Sequence, residues 1–321
     1  MPERTHVTLF LPGTPADRAA WKQALAKHQL SLTKTALRGK ALSFESQAEF
    51  VENPKDGSFG AAFSFGTTTK AQQRELDACP GALVLSLPVD LHRARAELAG
   101  LVKTLASCGA LAVRLEESKL GFPVQRWLEL VEGDDPWSLY RAAVVVLGGK
   151  TDATTCGMQV FSLPDAQVQL DDTLDAAAAN HLLGVLNVYQ LVEDPLLLSG
   201  HTFSPDVETP RREVRRWPDA TYAPDHPCHN PFGVWRLGPA GKKGEPPNEL
   251  AFVFMPSLAA VLTAAEAQHG KPLTKAQVRQ LTEQATCMTM KHEDARALER
   301  SRGYADLDPE LAWEQWQARA R

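Results

Sequence analysis

The chain has few cysteines, and none are arranged to pair. Its five, at 79, 108, 156, 228 and 287, are odd in number, widely spaced and free of any CxxC, which points away from a disulfide framework and toward thiols in a reducing compartment. Long apolar runs are missing too. The cleanest, Ala142 to Leu147, falls far short of the roughly 20 residues needed to span a bilayer. The opening MPERTHVTLFLPG lacks a charged region followed by an apolar stretch, so no secretory leader is expected. An excess of positive charge is also absent. The net charge is −5, with 22 basic against 28 acidic residues through Asp225 and 12 against 11 after it. Phosphate neutralisation needs clustered Lys and Arg, so direct nucleic-acid binding is not expected. There is no G-x-S-x-G elbow, P-loop, G-x-G-x-x-G or HExxH, and no repeat or low-complexity tract.

What remains is a globular composition, 44% hydrophobic and 23% charged, over 321 residues, enough for one large or two modest domains. His6 to Leu11 alternates like a strand and stops at Pro12-Gly13, and Thr14 or Asp17 is placed to cap a helix running through His28. Residues 30–46 predict one or two strands, and Gly60 to Phe65 another. A helix through Ala78, a strand over Ala82 to Asp90, a helix from Leu91 to Ser107, a strand over Ala110 to Leu115, a short helix over Pro123 to Val131 and a buried strand over Leu139 to Leu147 follow. This alternation predicts an α/β (α+β) fold, a layered mixed sheet with helices, and is compatible with two ferredoxin-like halves.

After Phe203 the texture changes. PRREVRRWPDATYAPDHPCHNPFG holds five prolines between Pro210 and Pro231, and GPAGKKGEPPN is loop-like. Beyond come a strand candidate, Leu250 to Met255, a helix from about Ser257 to Gln268, a helix opened by a Thr274–Gln277 capping box, and a last helix opened by Asp308-Pro309-Glu310. The expected domains are 1–217 as an α/β body, 218–249 as a Pro/Gly-rich connector, and 250–321 as a mainly helical extension packed on the body.

Cys156-Gly157-Met158, Phe161-Ser-Leu-Pro164-Asp165, Asn180, Leu182-Leu183, Tyr189 and Leu197 to Thr202 form a pattern: a small position, an F-x-L-P-(E/D) strand, a helix with Asn and Tyr, then a G-x-T turn. In these residues the chain resembles the DUF4261 family, a bacterial family of undetermined activity. The resemblance covers residues 1 to about 217 and is best over 156–206; about 100 further residues depart from the pattern. It implies the general character of polymorphic-toxin immunity proteins.

Several clusters could carry chemistry. Asp225-His-Pro-Cys-His229 packs four potential metal ligands into five residues, but no second ligand pair accompanies it, so no metal or other cofactor is expected and the loop reads as ordinary. Arg211, Arg212, Arg215 and Arg216 stand beside Trp217; on a strand, Arg211 and Arg215 share one face and Arg212 and Arg216 the other. They could grip an acidic partner by bidentate hydrogen bonds or simply protect an edge strand. Trp313 and Trp316, three apart, dock a helix or form a binding hot spot. Asp165, Asp171, Asp172 and Asp175 precede a helix whose dipole favours them. Glu116 and Glu117 point apart on a strand, and Cys156 and Cys228 carry no cysteine-protease signature.

The reading is a non-enzymatic, cytoplasmic protein-binding protein, with Arg211, Arg212, Arg215, Arg216, Trp217, Trp313 and Trp316 as partner-binding residues and no catalytic residue. Through the resemblance it becomes an immunity protein that blocks a cognate toxin, such as a type VI secretion effector, by occlusion. The alternatives are a metal-dependent hydrolase built on the 225–229 loop, and a scaffolding subunit.

Overall fold

The computed structural model describes residues 5–40, 42–44, 46–54, 58–239, 250–304, 306–307, 309 and 312–319. The chain divides into two compact units, Met1–Pro239 and Ala240–Arg321, and helices and strands mix in both, giving a layered α+β fold.

The first unit begins with β1 (Val7–Gly13), α1 (Arg18–Ala26), β2 (Leu30–Leu32), β3 (Ala36–Gly39), β4 (Ser46–Glu52), α2 (Phe59–Ala62), α3 (Lys70–Asp77), β5 (Gly81–Leu87), α4 (Arg95–Ser107), β6 (Ala112–Leu115) and β7 (Gly121–Pro123). The strands form one sheet in the order β2-β3-β4-β5-β1-β6-β7, antiparallel at every step. In it β1 and β4 run parallel with β5 between them, and β5 and β6 run parallel with β1 between them. These are two interlocked split β-α-β units, the ferredoxin-like arrangement, with the β2-β3 hairpin added outside β4. Period-2 alternation explains the layering. Val7, Leu9, Leu11, Leu83, Leu85 and Leu87 share a core with Trp21 and Leu25 of α1 and Leu98, Val102 and Leu105 of α4. Phe10, Ala82 and Ala112 face the other way, against Phe59, Phe63 and Leu76.

Asp17 caps α1 by accepting from the Ala20 amide, and Thr69 and Gln72 close a capping box on α3. The strand expected over Gly60 to Phe65 is instead the helical turn α2. Phe59 and Phe63, four apart, are both buried, and Phe59 meets Phe10 edge-on at 5.1 Å. Burying both rings on one side requires helical spacing.

Next come α5 (Val124–Glu132), α6 (Pro136–Ala143), β8 (Val145–Gly148), β9 (Asp152–Cys156), a 3-10 turn over Met158–Phe161, β10 (Asp165–Gln169), α7 (Ala176–Glu193), β11 (Thr202–Phe203), β12 (Arg212–Trp217) and β13 (Val234–Pro239). The expected strand over Leu139 to Leu147 is a strand only in its second half. Asp135 accepts from the Trp137 and Ser138 amides, and Pro136 sits in the first turn, so 136–143 starts as a well-capped helix. An apolar run this short fits a buried helix as well as a strand. The strand expected at Phe161-Ser-Leu-Pro164-Asp165 begins only at its last residue: β9 ends at Cys156, the chain turns at Gly157, whose φ of 123° only glycine adopts readily, and Phe161 closes the 3-10 turn.

The second sheet has the order β11-β12-β13-β10-β9-β8, with β10 and β13 as its parallel pair. Helix α7 covers one face: Ala179, Leu182, Leu183 and Leu186 pack with Ala166, Val168, Val214, Trp235 and Leu237. Two three-stranded meanders joined through one helix are not a second ferredoxin-like half. The Pro-rich segment is not an irregular connector throughout, because it opens with β12, which pairs with β13 directly after it. The first unit therefore ends at Pro239 rather than at 217.

The second unit contains β14 (Leu250–Phe254), α8 (Leu258–His269), α9 (Lys275–Gln284), β15 (Cys287–Lys291), α10 (His292–Arg302) and α11 (Ala312–Arg319). The Thr274–Gln277 capping box is present, while β15, antiparallel to β14, adds a strand pair to the expected helices. Of the expected Asp308-Pro309-Glu310 start, Asp308 and Glu310 lie outside the described residues. Among the described residues no helix is long and apolar enough to cross a membrane.

Candidate functional site

The arginine strand is largely occupied from within. Arg212 on β12 is 2% exposed and donates through Nη1 and Nη2 to the two carboxylate oxygens of Asp171, at 2.7 and 3.1 Å, with Thr173 Oγ1 at 2.9 Å from Nη2. It does not present a charge to the surface as expected, since its neighbour Val214 turns the same face into the core. Arg215 pairs with Glu213. Arg216 lies over its cross-strand neighbour Trp235 at 4.9 Å and donates to the Phe232 carbonyl, and Arg236 lies over Trp217 at 4.7 Å. Arg211 is exposed, with Nη1 3.4 Å from Thr202 Oγ1.

Arg211 belongs to a different feature. It lines an open groove of about 870 Å³ together with Tyr189, Leu196, Phe203, Asp206 and Val207. Leu196 is 70% exposed and Val207 fully so, while Tyr189 packs on Phe203 with ring centroids 5.9 Å apart. The groove runs beside the two-residue strand β11, the outer strand of its sheet. Asp206 lines the groove, and Glu193, Asp194 and Glu208, close in sequence to lining residues, are exposed. Asp206 fixes the turn by accepting from the Glu208 and Thr209 amides at 2.9 and 2.6 Å.

A second, buried cluster lies where β9, the turn after β6 and the loop after β12 meet. Asp165 accepts from Thr155 Oγ1, the Met158 amide and Asn230 Nδ2, at 3.0, 3.3 and 2.7 Å. Asn187 links Thr155 to Gln190, which accepts from Trp235 Nε1 at 2.9 Å. Burial still pushes the Asp165 carboxyl up to about 7. Glu116 and Glu117 diverge as expected: Glu116 pairs with Arg114 and Lys119, while Glu117 turns inward and accepts from the Thr8 amide at 2.8 Å. Among the described residues its Oε2 finds no partner, and burial pushes the carboxyl up to about 8. Two cysteines complete the cluster, with the Cys156 thiol 3.2 Å from the Glu117 carbonyl oxygen and the Cys228 thiol 3.8 Å from that of Glu116.

The 225–229 side chains diverge. His226 stacks on Tyr222 at 4.7 Å and accepts from the Cys228 amide through Nδ1, while His229 Nδ1 lies 3.1 Å from the Tyr222 carbonyl oxygen and Cys228 turns inward. Among the described residues no three His, Cys, Asp or Glu side chains are grouped to hold a metal ion. In the second unit, Trp313 and Trp316 pack partly buried against Leu258, Leu262 and Val278, and Trp316 Nε1 donates to Glu266 at 3.1 Å.

Sequence reasoning missed Leu196, Val207, Asn187 and Asn230. For Leu196 and Val207 the available signal was LVEDPLLLSGHTFSPDVETP, where apolar residues sit among turn formers without a helical or strand period. No protein-family model, no curated protein and no solved structure matches the chain.

Proposed function

We propose that this chain is a protein-binding protein, acting in the cytoplasm as an immunity protein that neutralises a cognate bacterial toxin by occlusion. The observation that carries the reading is the open groove beside β11, where Leu196 and Val207 stand in water next to an outer strand. Exposed apolar side chains at a concave surface gain about 25 cal/mol per Å² when a partner covers them. The short edge strand offers backbone groups to an extended segment. The acidic side chains at and near the groove select a basic segment and speed encounter with it.

On this reading the occupant is an extended toxin segment carrying apolar residues flanked by Lys or Arg, and Arg211 marks the end of the groove where an acidic or carbonyl group is accepted. The immunity assignment rests on the sequence pattern of residues 156–206 alone, and the groove is formed by the end of that stretch and the residues that follow it. Occlusion asks for affinity and shape and no bond-making step.

The test is co-expression with toxins encoded beside this gene. Growth rescue and co-purification of the toxin with the wild-type chain, both lost with Val207→Asp, is the expected outcome. Absence of rescue by the wild-type chain, with no co-purifying neighbour, overturns it.

A further inference from the structure

Cys156 ends β9 and Cys228 sits in the loop between β12 and β13, 72 residues later, yet their side chains share one pocket of the fold. Cys156 Sγ is 3.2 Å from the Glu117 carbonyl oxygen and 3.9 Å from that of Cys228 itself, and Cys228 Sγ is 3.8 Å from the adjacent Glu116 carbonyl oxygen. Both thiols are thus held against the carbonyls of the adjacent residues Glu116 and Glu117. They are 3% and 5% exposed, but not sealed. Both line a cavity of about 270 Å³ with Thr154, Asp219, Thr221 and Tyr222, several times the roughly 30 Å³ that one water takes in the liquid.

We propose that Cys156 and Cys228 are a peroxide-oxidised dithiol, a modification site that takes a small hydroperoxide through this cavity and closes to an intramolecular disulfide. The Cys228 thiolate attacks one peroxide oxygen; an S–O bond forms, the O–O bond breaks, and the departing oxygen leaves as water after taking a proton. Cys156 sulfur then attacks the sulfenic sulfur of Cys228. The S–S bond forms, the S–O bond breaks, and the hydroxyl leaves as a second water with the Cys156 proton. Two thiols are oxidised by two electrons, and one hydrogen peroxide is reduced to two waters.

The surroundings assign the roles. The neighbouring Cys156 and the Lys119 ammonium lower the Cys228 thiol, against burial, Glu116 and Asp165, while the neighbouring Cys228, burial, Asp165 and Asp219 raise Cys156. Nucleophilicity follows the thiolate, so Cys228 attacks first and Cys156 resolves. The other buried thiols lack such a neighbour: burial pushes Cys79 up to about 11 and raises Cys108. Cys287 is exposed in the second unit.

The experiment uses the full-length chain with Cys287→Ser, which removes the exposed thiol. It is treated with hydrogen peroxide, unfolded in guanidinium with N-ethylmaleimide, and read by intact mass and peptide mapping. The expected result is loss of two of four alkylations, a Cys156–Cys228 crosslinked peptide pair, its reversal by dithiothreitol, and full alkylation of Cys79 and Cys108. In the same background Cys156→Ser leaves Cys228 as a sulfenic acid captured by dimedone. Full alkylation of Cys156 and Cys228 at exposures that oxidise free glutathione overturns the proposal, as does overoxidation of Cys228 without a crosslink. The crosslink is read with both thiols present, so a folding defect in Cys156→Ser leaves the test decisive.

Discussion

Arg212 and Asp171 are joined by two parallel charge-assisted hydrogen bonds, 2.7 and 3.1 Å long, that tie the start of β12 to the turn after β10. The pair is asymmetric: the Arg212 side chain is 3% exposed and that of Asp171 36%. Water can therefore solvate the carboxylate alone, but not the guanidinium alone.

Removing the acid should cost more than removing the base. Asp171→Ala leaves a buried cation that keeps, among the described residues, its bond to Thr173, and is expected to destabilise the first unit by about 3 kcal/mol. Arg212→Met keeps the stem packed and leaves a wet carboxylate, so about 1 kcal/mol is expected. Urea unfolding of both variants checks the order. The Arg212 guanidinium, with Thr173, holds the Asp171 carboxyl well below the usual range. A depressed carboxyl contributes stability that is complete above about pH 4 and fades as pH falls below it, so the gap between wild type and Arg212→Met closes in acid.

Glu117 carries the opposite sign. Burial pushes its carboxyl up to about 8, so between its unfolded value near 4.3 and that value the native state holds a proton the unfolded chain releases. Stability should then fall as pH rises from 5 to 8, by up to about 1.4 kcal/mol per pH unit for this group, with Asp165 adding to the slope below about 7. Glu117→Gln keeps an oxygen for the Thr8 amide and has no charge to bury. It is expected to flatten the profile and to be more stable than wild type at pH 8, measured by urea unfolding at each pH.

Gly157 is a backbone requirement. At its φ of 123° a Cβ would run into the Ala143 carbonyl oxygen and press on Ser118. Gly157→Ala is expected to cost about 3 kcal/mol and to lower Tm, whereas Gly148→Ala, where a Cβ would meet nothing, should leave Tm within a degree or two.

Much of the fold is legible where the cause is local. The Asp17 cap and the Thr274–Gln277 box are set by residues three apart, and the alternation of 82–87 by its own two faces. Gly60 to Phe65 and Leu139 to Ala143 mislead because short apolar runs carry no period of their own; the burial of Phe59 with Phe63 and the Asp135 cap decide them. The site was less legible. Four arginines in six residues suggest a charged surface, yet Arg212 finds Asp171 41 residues away and Arg216 finds Trp235 across the strand. Their partners are tertiary, so spacing alone could not show that the array is spent internally.

The groove draws its exposed apolar residues from segments without period, and its exposed arginine is the member of the array that the core leaves outside. Leu196 and Val207 make few contacts within the fold, so replacing them should leave it intact: Leu196→Asp and Val207→Asp are each expected to shift Tm by no more than a degree or two. Both place a new charge on the surface a partner would cover. Burying that carboxylate opposite apolar side chains should weaken binding of the cognate partner at least tenfold, about 1.4 kcal/mol, with the loss mainly in the off-rate. Asp206→Asn with Glu208→Gln removes charge at the groove without touching the apolar floor. Its effect should fall instead on the on-rate and should vanish at high salt, where the Debye length shrinks to a few ångströms. Surface plasmon resonance at low and high ionic strength separates the two effects, and equal kinetics for all three variants would place the binding face elsewhere on the molecule.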